Sequence, residues 1–219
     1  PIKGFGYFIQ NHLRTLTTPG EWYYNGGKFY MYFGSAGPSG KVVRVSCLDQ
    51  NVNIKLKDHI TLSNLTLEGA NKSSVFISSS SYLTIQNCNI SYAGNRAIDG
   101  GVNSGKTSQG FKLINNNIND ILNTAIILAG EFQNSLISGN NISNISMIPG
   151  MAGSGDGQSI AISLYGSGHT VEYNRLTNLG FNAIDFSGNY IKIRYNFINN
   201  WALVKDDSGG IYTSAQGSN

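Results

Sequence analysis

Charge is scarce in this 219-residue chain: 12% of its residues are Asp, Glu, Lys or Arg, about half the roughly 25% common in globular proteins. The net charge is +3 and no basic run is interleaved with aromatics, which argues against a nucleic-acid partner. Two cysteines, Cys47 and Cys88, make neither a disulfide framework nor a metal site and are expected as buried free thiols. No run of 18 apolar residues is present to span a membrane. The first residue is Pro1, with neither an initiator Met nor a signal peptide, so the chain is expected to be a processed or excised piece.

What remains is apolar and small. Hydrophobic residues make up 40% of the chain, Gly numbers 27 and Asn is about as frequent. Little charge and ample apolar content favour collapse over disorder. Asn, Ser and Thr do the polar work, and their side chains compete with helical backbone bonding while tolerating tight turns. The composition points to an all-β protein dense in turns.

A repeat organises most of the sequence. Four short runs, "LINNNI", "ISGNNI", "VEYNRL" and "IRYNFI", carry Asn116, Asn140, Asn174 and Asn196 two residues before an apolar one. "LSNLTL" and "IQNCNI" share the shape with Leu65 and Cys88 in that place. The closing apolar residues Leu67, Ile90, Ile118, Ile142, Leu176 and Ile198 are 23, 28, 24, 34 and 22 residues apart. A period near 23 with two longer steps is that of a solenoid with loop insertions. A second apolar strand follows each run, centred on Val75, Ile98, Ile126, Ile162, Ile184 and Ile211. A stacked Asn bonding to the coils above and below accounts for the Asn excess. Residues 55–219 are thus read as a right-handed parallel β-helix of about six coils, with handedness from the crossover rule. The chain stops one strand after an inserted loop, so a C-terminal remainder of the helix is expected as a partner.

Residues 1–54 form a separate front segment. "EWYYNGGKFYMYF" places two aromatic runs around an Asn-Gly turn, a hairpin signal. Its rings serve either as an end plug for the solenoid, the favoured reading, or as a sugar-stacking platform. His12 is expected in a structural hydrogen bond.

The stretch "NRLTNLGFNAIDFSGNYIKIRYNFINNWALVKDDSGGIYT" resembles bacterial right-handed parallel β-helix proteins of the pectin-lyase-like superfamily. The nearer resemblance is to the branch holding glycoside hydrolases of plant-cell-wall glycans, and "GYFIQNHLRTLTTPGEWYYNGGKFYMYF" is similar to the segment that precedes the helix there. That resemblance implies a carbohydrate-active protein, secreted, periplasmic or on the cell surface, acting on a polysaccharide or oligosaccharide.

The residues point to a site independently. Aligning the second strands stacks Phe76, Asp99, Ile127, Ser163, Asp185 and Tyr212 in one outward column, with adjacent coils about 4.8 Å apart. Two expanded loops, 143–160 and 199–210, enter that strand from one side and carry Asp156 in "GSGDGQ" and Asp206 and Asp207 in "KDDSGG". Glycosidases need two carboxyls about 5–5.5 Å apart for retention or about 6.5–9.5 Å apart for inversion. Asp156 with Asp206 falls near the inverting range, and Asp185 or Asp207 is expected to assist. Asp99, about 14 Å from Asp185 along the axis, is expected to be structural. Each Asp-Gly pair taken alone is an ordinary turn.

Lys205, Ser163, Tyr165, Trp201 and Tyr212 are candidate substrate contacts, with Phe181 and Tyr190 as further stacking rings; several of the rings, Phe181 first among them, are expected in the core or a ladder instead. No cofactor is expected for hydrolysis. The competing reading is a polysaccharide lyase working by β-elimination on uronate glycans. There Lys205, Arg175 or Arg194 would neutralise the uronate, and Asp156, Asp206 and Asp207 would hold calcium. A glycan-binding solenoid without chemistry is the third reading.

Overall fold

The computed structural model describes residues 9, 11–101, 105–155 and 157–213. The chain divides into two compact units, Pro1–Arg44 and Val45–Asn219.

In the first unit, strands Trp22–Asn25 and Lys28–Met31 pair antiparallel, with Asn25 opposite Lys28. Gly26 and Gly27 bridge them at φ of +56° and +78°, the left-handed values that a two-residue hairpin turn matching strand twist demands. Trp22 stacks on Phe29 at 5.7 Å and Tyr23 on Tyr30 at 6.0 Å. None of this unit's described residues is buried. His12 caps a short 3-10 turn, its Nδ1 accepting the Arg14 N–H at 3.1 Å.

The second unit is a parallel β-solenoid of about seven turns, built from one seven-stranded and two six-stranded sheets. Each turn of the chain contributes a strand to the first, second and third sheet in order. The first sheet comprises Gln50–Lys55, Ser73–Ser78, Arg96–Gly100, Thr124–Leu128, Ile162–Tyr165, Ile184–Ser187 and Ile211–Tyr212. Its opening strand precedes the Asn-marked repeat and pairs Val52 with Val75, which adds a turn to the six read from the spacing.

The six closing apolar residues, Leu67 to Ile198, stack in register through the third sheet. Opposite them in the second sheet run Leu62, Ile85, Leu113, Ile137, Val171 and Ile193. The first sheet adds Val75, Ile98, Ile126, Ile162 and Ile184, all fully buried. Each side chain in this column stabilises the fold by about 1.5–3 kcal/mol relative to exposure. Cys88 joins this core as a free thiol, whereas Cys47 is free and exposed, because it lies before the first strand of the stack.

At the turn between second and third sheets the stacked asparagines form a continuous ladder. Each Oδ1 accepts two bonds at 2.9 Å from the Asn of the coil below: Asn140 from Asn116, Asn174 from Asn140, Asn196 from Asn174. Each Nδ2 also donates to a carbonyl of the preceding coil, such as Leu113 for Asn140 at 2.9 Å. Cys88 ends the ladder, donating its backbone N–H to Asn116 Oδ1 at 2.9 Å. The residue just before each ladder position is left-handed: Asn64, Asn87, Asn115, Gly139, Tyr173 and Tyr195. Asn and Gly tolerate that region. The two tyrosines there stack on each other at 5.1 Å.

His169 closes another turn from inside. Its Nδ1 accepts the Ser135 N–H at 3.2 Å, so Nε2, 2.8 Å from the Tyr165 carbonyl, carries the proton. Burial pushes the imidazole pKa below its usual value, against the raising effect of the Tyr165 bond. A folded pKa below the unfolded one means that the unfolded chain binds the extra proton first. Stability contributed by this site is therefore complete above about pH 6.5 and is lost as pH falls toward the lowered folded pKa. Urea midpoints at pH 7.5 and pH 5.5 are expected to differ by less in His169→Gln than in the parent.

Candidate functional site

The site is built on the upper turns of the first sheet. Pairing of Ile162 with Ile184 and of Ile184 with Ile211 places Ser163, Asp185 and Tyr212 in one column, with Asp99 and Ile127 below. Asp99 is spent within the fold: its carboxylate accepts from Ser73 Oγ at 2.9 Å, Arg96 at 2.8 Å and the Gly101 N–H at 3.1 Å.

The loop after Asn199 is laid onto the turn of the preceding coil by backbone bonds. Leu203 donates to the Leu179 carbonyl at 3.1 Å, and Val204 and Lys205 both donate to Gly180 at 3.0 and 2.9 Å. Gly180 itself lies tight against the coil below, where a Cβ would collide with the Ser146 carbonyl. Beyond the acidic pair the chain is pinned again: Ser208 Oγ and the Gly209 N–H both donate to Asn182 Oδ1, at 2.9 and 3.0 Å. Asp206 and Asp207 therefore form the apex between two anchors. Asp207 is left-handed at φ +55°, a conformation Asp accepts more readily than most side chains.

Beneath that apex lies a cavity of about 430 Å³, lined by Phe181, Asn182, Val204, Lys205, Asp206, Asp207 and Tyr212. Asp185 pairs in register with Tyr212 of its wall. Partial burial raises the Asp185 carboxyl pKa above the ordinary aspartate value, and a backbone bond from Phe186 offsets this in part. The upper turns thus carry one carboxyl with a raised pKa, in register with a wall residue, and two exposed carboxylates on the cavity itself, the asymmetry that acid–base chemistry uses.

No family model matches this chain, and neither does any curated protein or solved structure. The architecture is a parallel β-solenoid, and solenoids host enzymes, binders and structural proteins alike, so function must be argued from these side chains.

The two inserted loops do meet. Lys205 Nζ donates to the carbonyls of Gly155 at 3.1 Å and Gly153 at 3.4 Å, and lies 5.4 Å from the centre of the Phe181 ring. Asp156 itself lies outside the described residues. Ser163 is in the column but fully buried, with no partner for its hydroxyl among the described residues, so it does not meet solvent in this structure. Tyr165 gives its carbonyl to His169, and Trp201 lies against Gly210; neither lines the cavity. Tyr190 is 87% exposed in a turn of the second sheet's side.

Arg194 is paired with Glu172 at 2.8 Å and Arg175 lies 4.4 Å from the Phe197 ring centre, both on the other two sheets. Among the described residues no group of three or more His, Cys, Asp or Glu side chains converges. Likewise no helix among them is long and apolar enough to cross a membrane.

Asn182 and Val204 are cavity residues that the sequence reading did not single out. A signal for Asn182 was present: Asn95 in "NRAI" and Asn123 in "NTAI" precede the same strand in lower coils. Its distance from the strand differs by one residue, which hides it in a plain repeat alignment.

Proposed function

We propose that this protein is a carbohydrate-active enzyme, a glycoside hydrolase that cuts a polysaccharide in the groove over the first sheet. The observation that carries this reading is the pair Asp206 and Asp207 lining a cavity whose wall residue Tyr212 is in register with the half-buried Asp185. Asp185, held toward its protonated form, protonates the departing glycosidic oxygen. Asp206 accepts a proton from the attacking water, and Asp207 adds negative charge that stabilises the positively charged sugar in the transition state. Asp156, in the sequence of the loop that Lys205 engages, is a further candidate carboxylate on its sequence position alone. Tyr212 forms the wall against which a sugar ring packs, while Lys205 holds the two loops together.

The test is mass spectrometry of products after incubation with neutral and uronate-containing polysaccharides. Fragments heavier by one water per cut are expected. Unsaturated fragments without added water would replace hydrolysis with β-elimination and make Lys205 and a cation the focus. Binding without cleavage would leave the glycan-binding reading.

A further inference from the structure

Asn182 holds an unspent donor inside the cavity. The side chain is 2% exposed and lines the cavity beneath the acidic apex. The orientation of its amide follows from its partners. The Gly209 N–H can only donate, so the Asn182 atom 3.0 Å from it is oxygen. Ser208 Oγ supplies a second bond to that same oxygen at 2.9 Å. The NH2 group is therefore the other end, and it has no acceptor among the described residues.

Asn123, in the corresponding turn lower in the stack, shows what a purely structural Asn looks like here. Its Oδ1 accepts the Ser159 N–H at 2.9 Å, and its Nδ2 donates to Asn95 Oδ1 at 2.7 Å and Gln158 Oε1 at 2.5 Å. Both ends are used. At Asn182 the oxygen end does the structural work of pinning the loop, and the nitrogen end is left over. That nitrogen is not among the sealed polar atoms of the fold, so it is open to the cavity that Asn182 lines, where a ligand's acceptor takes the place of water.

We propose that Asn182 is a substrate-binding residue that donates through Nδ2 to a hydroxyl or ring oxygen of one sugar unit seated in the cavity. This rests on the carbohydrate reading above and names the group that orients the sugar under the carboxylates. Because the oxygen of the same amide holds Ser208 and Gly209, Asn182 ties the position of the sugar to the position of Asp206 and Asp207. Specificity follows: a unit lacking an acceptor at that place leaves the donor unpaired.

The experiment uses the whole chain, labelled with nitrogen-15 and titrated with cellohexaose, xylohexaose, mannohexaose and hexagalacturonate. At least one of these is expected to shift the Asn182 side-chain amide resonances. Asn182→Asp keeps an oxygen for Gly209 and Ser208 but has no N–H; it is expected to bind that probe about tenfold more weakly and to melt lower than the parent, because the new carboxyl is buried. If the variant does not fold, the shift in the parent protein decides alone. Equal affinity in Asn182→Asp, binding that leaves the Asn182 amide unmoved, or no binding of any probe would each overturn the proposal. Cleavage by the parent with unchanged affinity in the variant would leave the hydrolase reading standing and remove this one. Binding lost in the variant, without cleavage in the parent, would do the reverse.

Discussion

Replacing Asp206 with Asn is expected to lower kcat on a cleaved glycan by about 10³-fold, within the range contributed by a positioned acid or base, and to leave the melting temperature nearly unchanged. The expectation of intact folding comes from its place: Asp206 is exposed at the loop apex, and the bonds that hold the loop are made by its neighbours on either side. Exposed substitutions of this kind usually stay within about 0.5 kcal/mol. Steady-state kinetics beside a thermal melt check both halves, and retained turnover would remove Asp206 from the chemistry.

Asp185→Asn completes the argument by its pH behaviour. A carboxyl that must be protonated to act loses activity as pH rises through its raised pKa. The variant is expected to lose activity on ordinary glycans but to retain much of it on dinitrophenyl glycosides, whose leaving group needs no proton. Stability moves the other way. With its folded pKa above the unfolded one, Asp185 stabilises the protein at low pH, and that contribution is lost as pH rises through the folded value. At neutral pH the neutral amide relieves the cost of a half-buried charge, so Asp185→Asn is expected to melt slightly higher than the parent. Activity and stability opposed at one residue mark a functional group.

The largest stability effect is expected at Asn140→Ala, which destabilises by about 3 kcal/mol or more, from several buried bonds at about 1 kcal/mol each and the groups they leave unpaired. Asn140 is fully buried between two ladder neighbours, accepting two bonds from Asn116 and donating to Leu113, Ser138 and Asn174. Truncation strands the Asn116 amide and the Leu113 carbonyl inside the stack. Asn141, the next residue, is exposed and shares one side-chain bond with Asn117 at 3.0 Å. Asn141→Ala is therefore expected to cost less than about 0.5 kcal/mol. Urea denaturation of the two variants checks the contrast. Similar losses at both positions would mean that the ladder contributes little beyond a surface hydrogen bond.

The ladder and the column of Asp99, Ser163, Asp185 and Tyr212 were readable in advance for one reason. In a solenoid the contact partner of a residue is the residue one period away, so spacing in the chain is already spacing in space. The apex pair was legible as an inserted acidic loop for the same reason. Burial was not legible in this way. Ser163 and Asp185 occupy the same column one coil apart, yet one is sealed and the other half-exposed. Strand alternation assigns both to the outward face and cannot say what else covers that face. Lys205 was open to a solvated or substrate-facing reading, and the structure directs it to two carbonyls of the other loop.

By itself, then, the sequence determined the repeat, the register of the stacked strands and the Asn ladder, because these depend on period and residue type alone. The tertiary structure decided the depth of each outward residue, the meeting of the two inserted loops through Lys205, and the double use of Asn182. Those depend on how irregular loops of unequal length fall back onto the stack. No period encodes that, because each loop is placed by its own backbone bonds to the coil beneath.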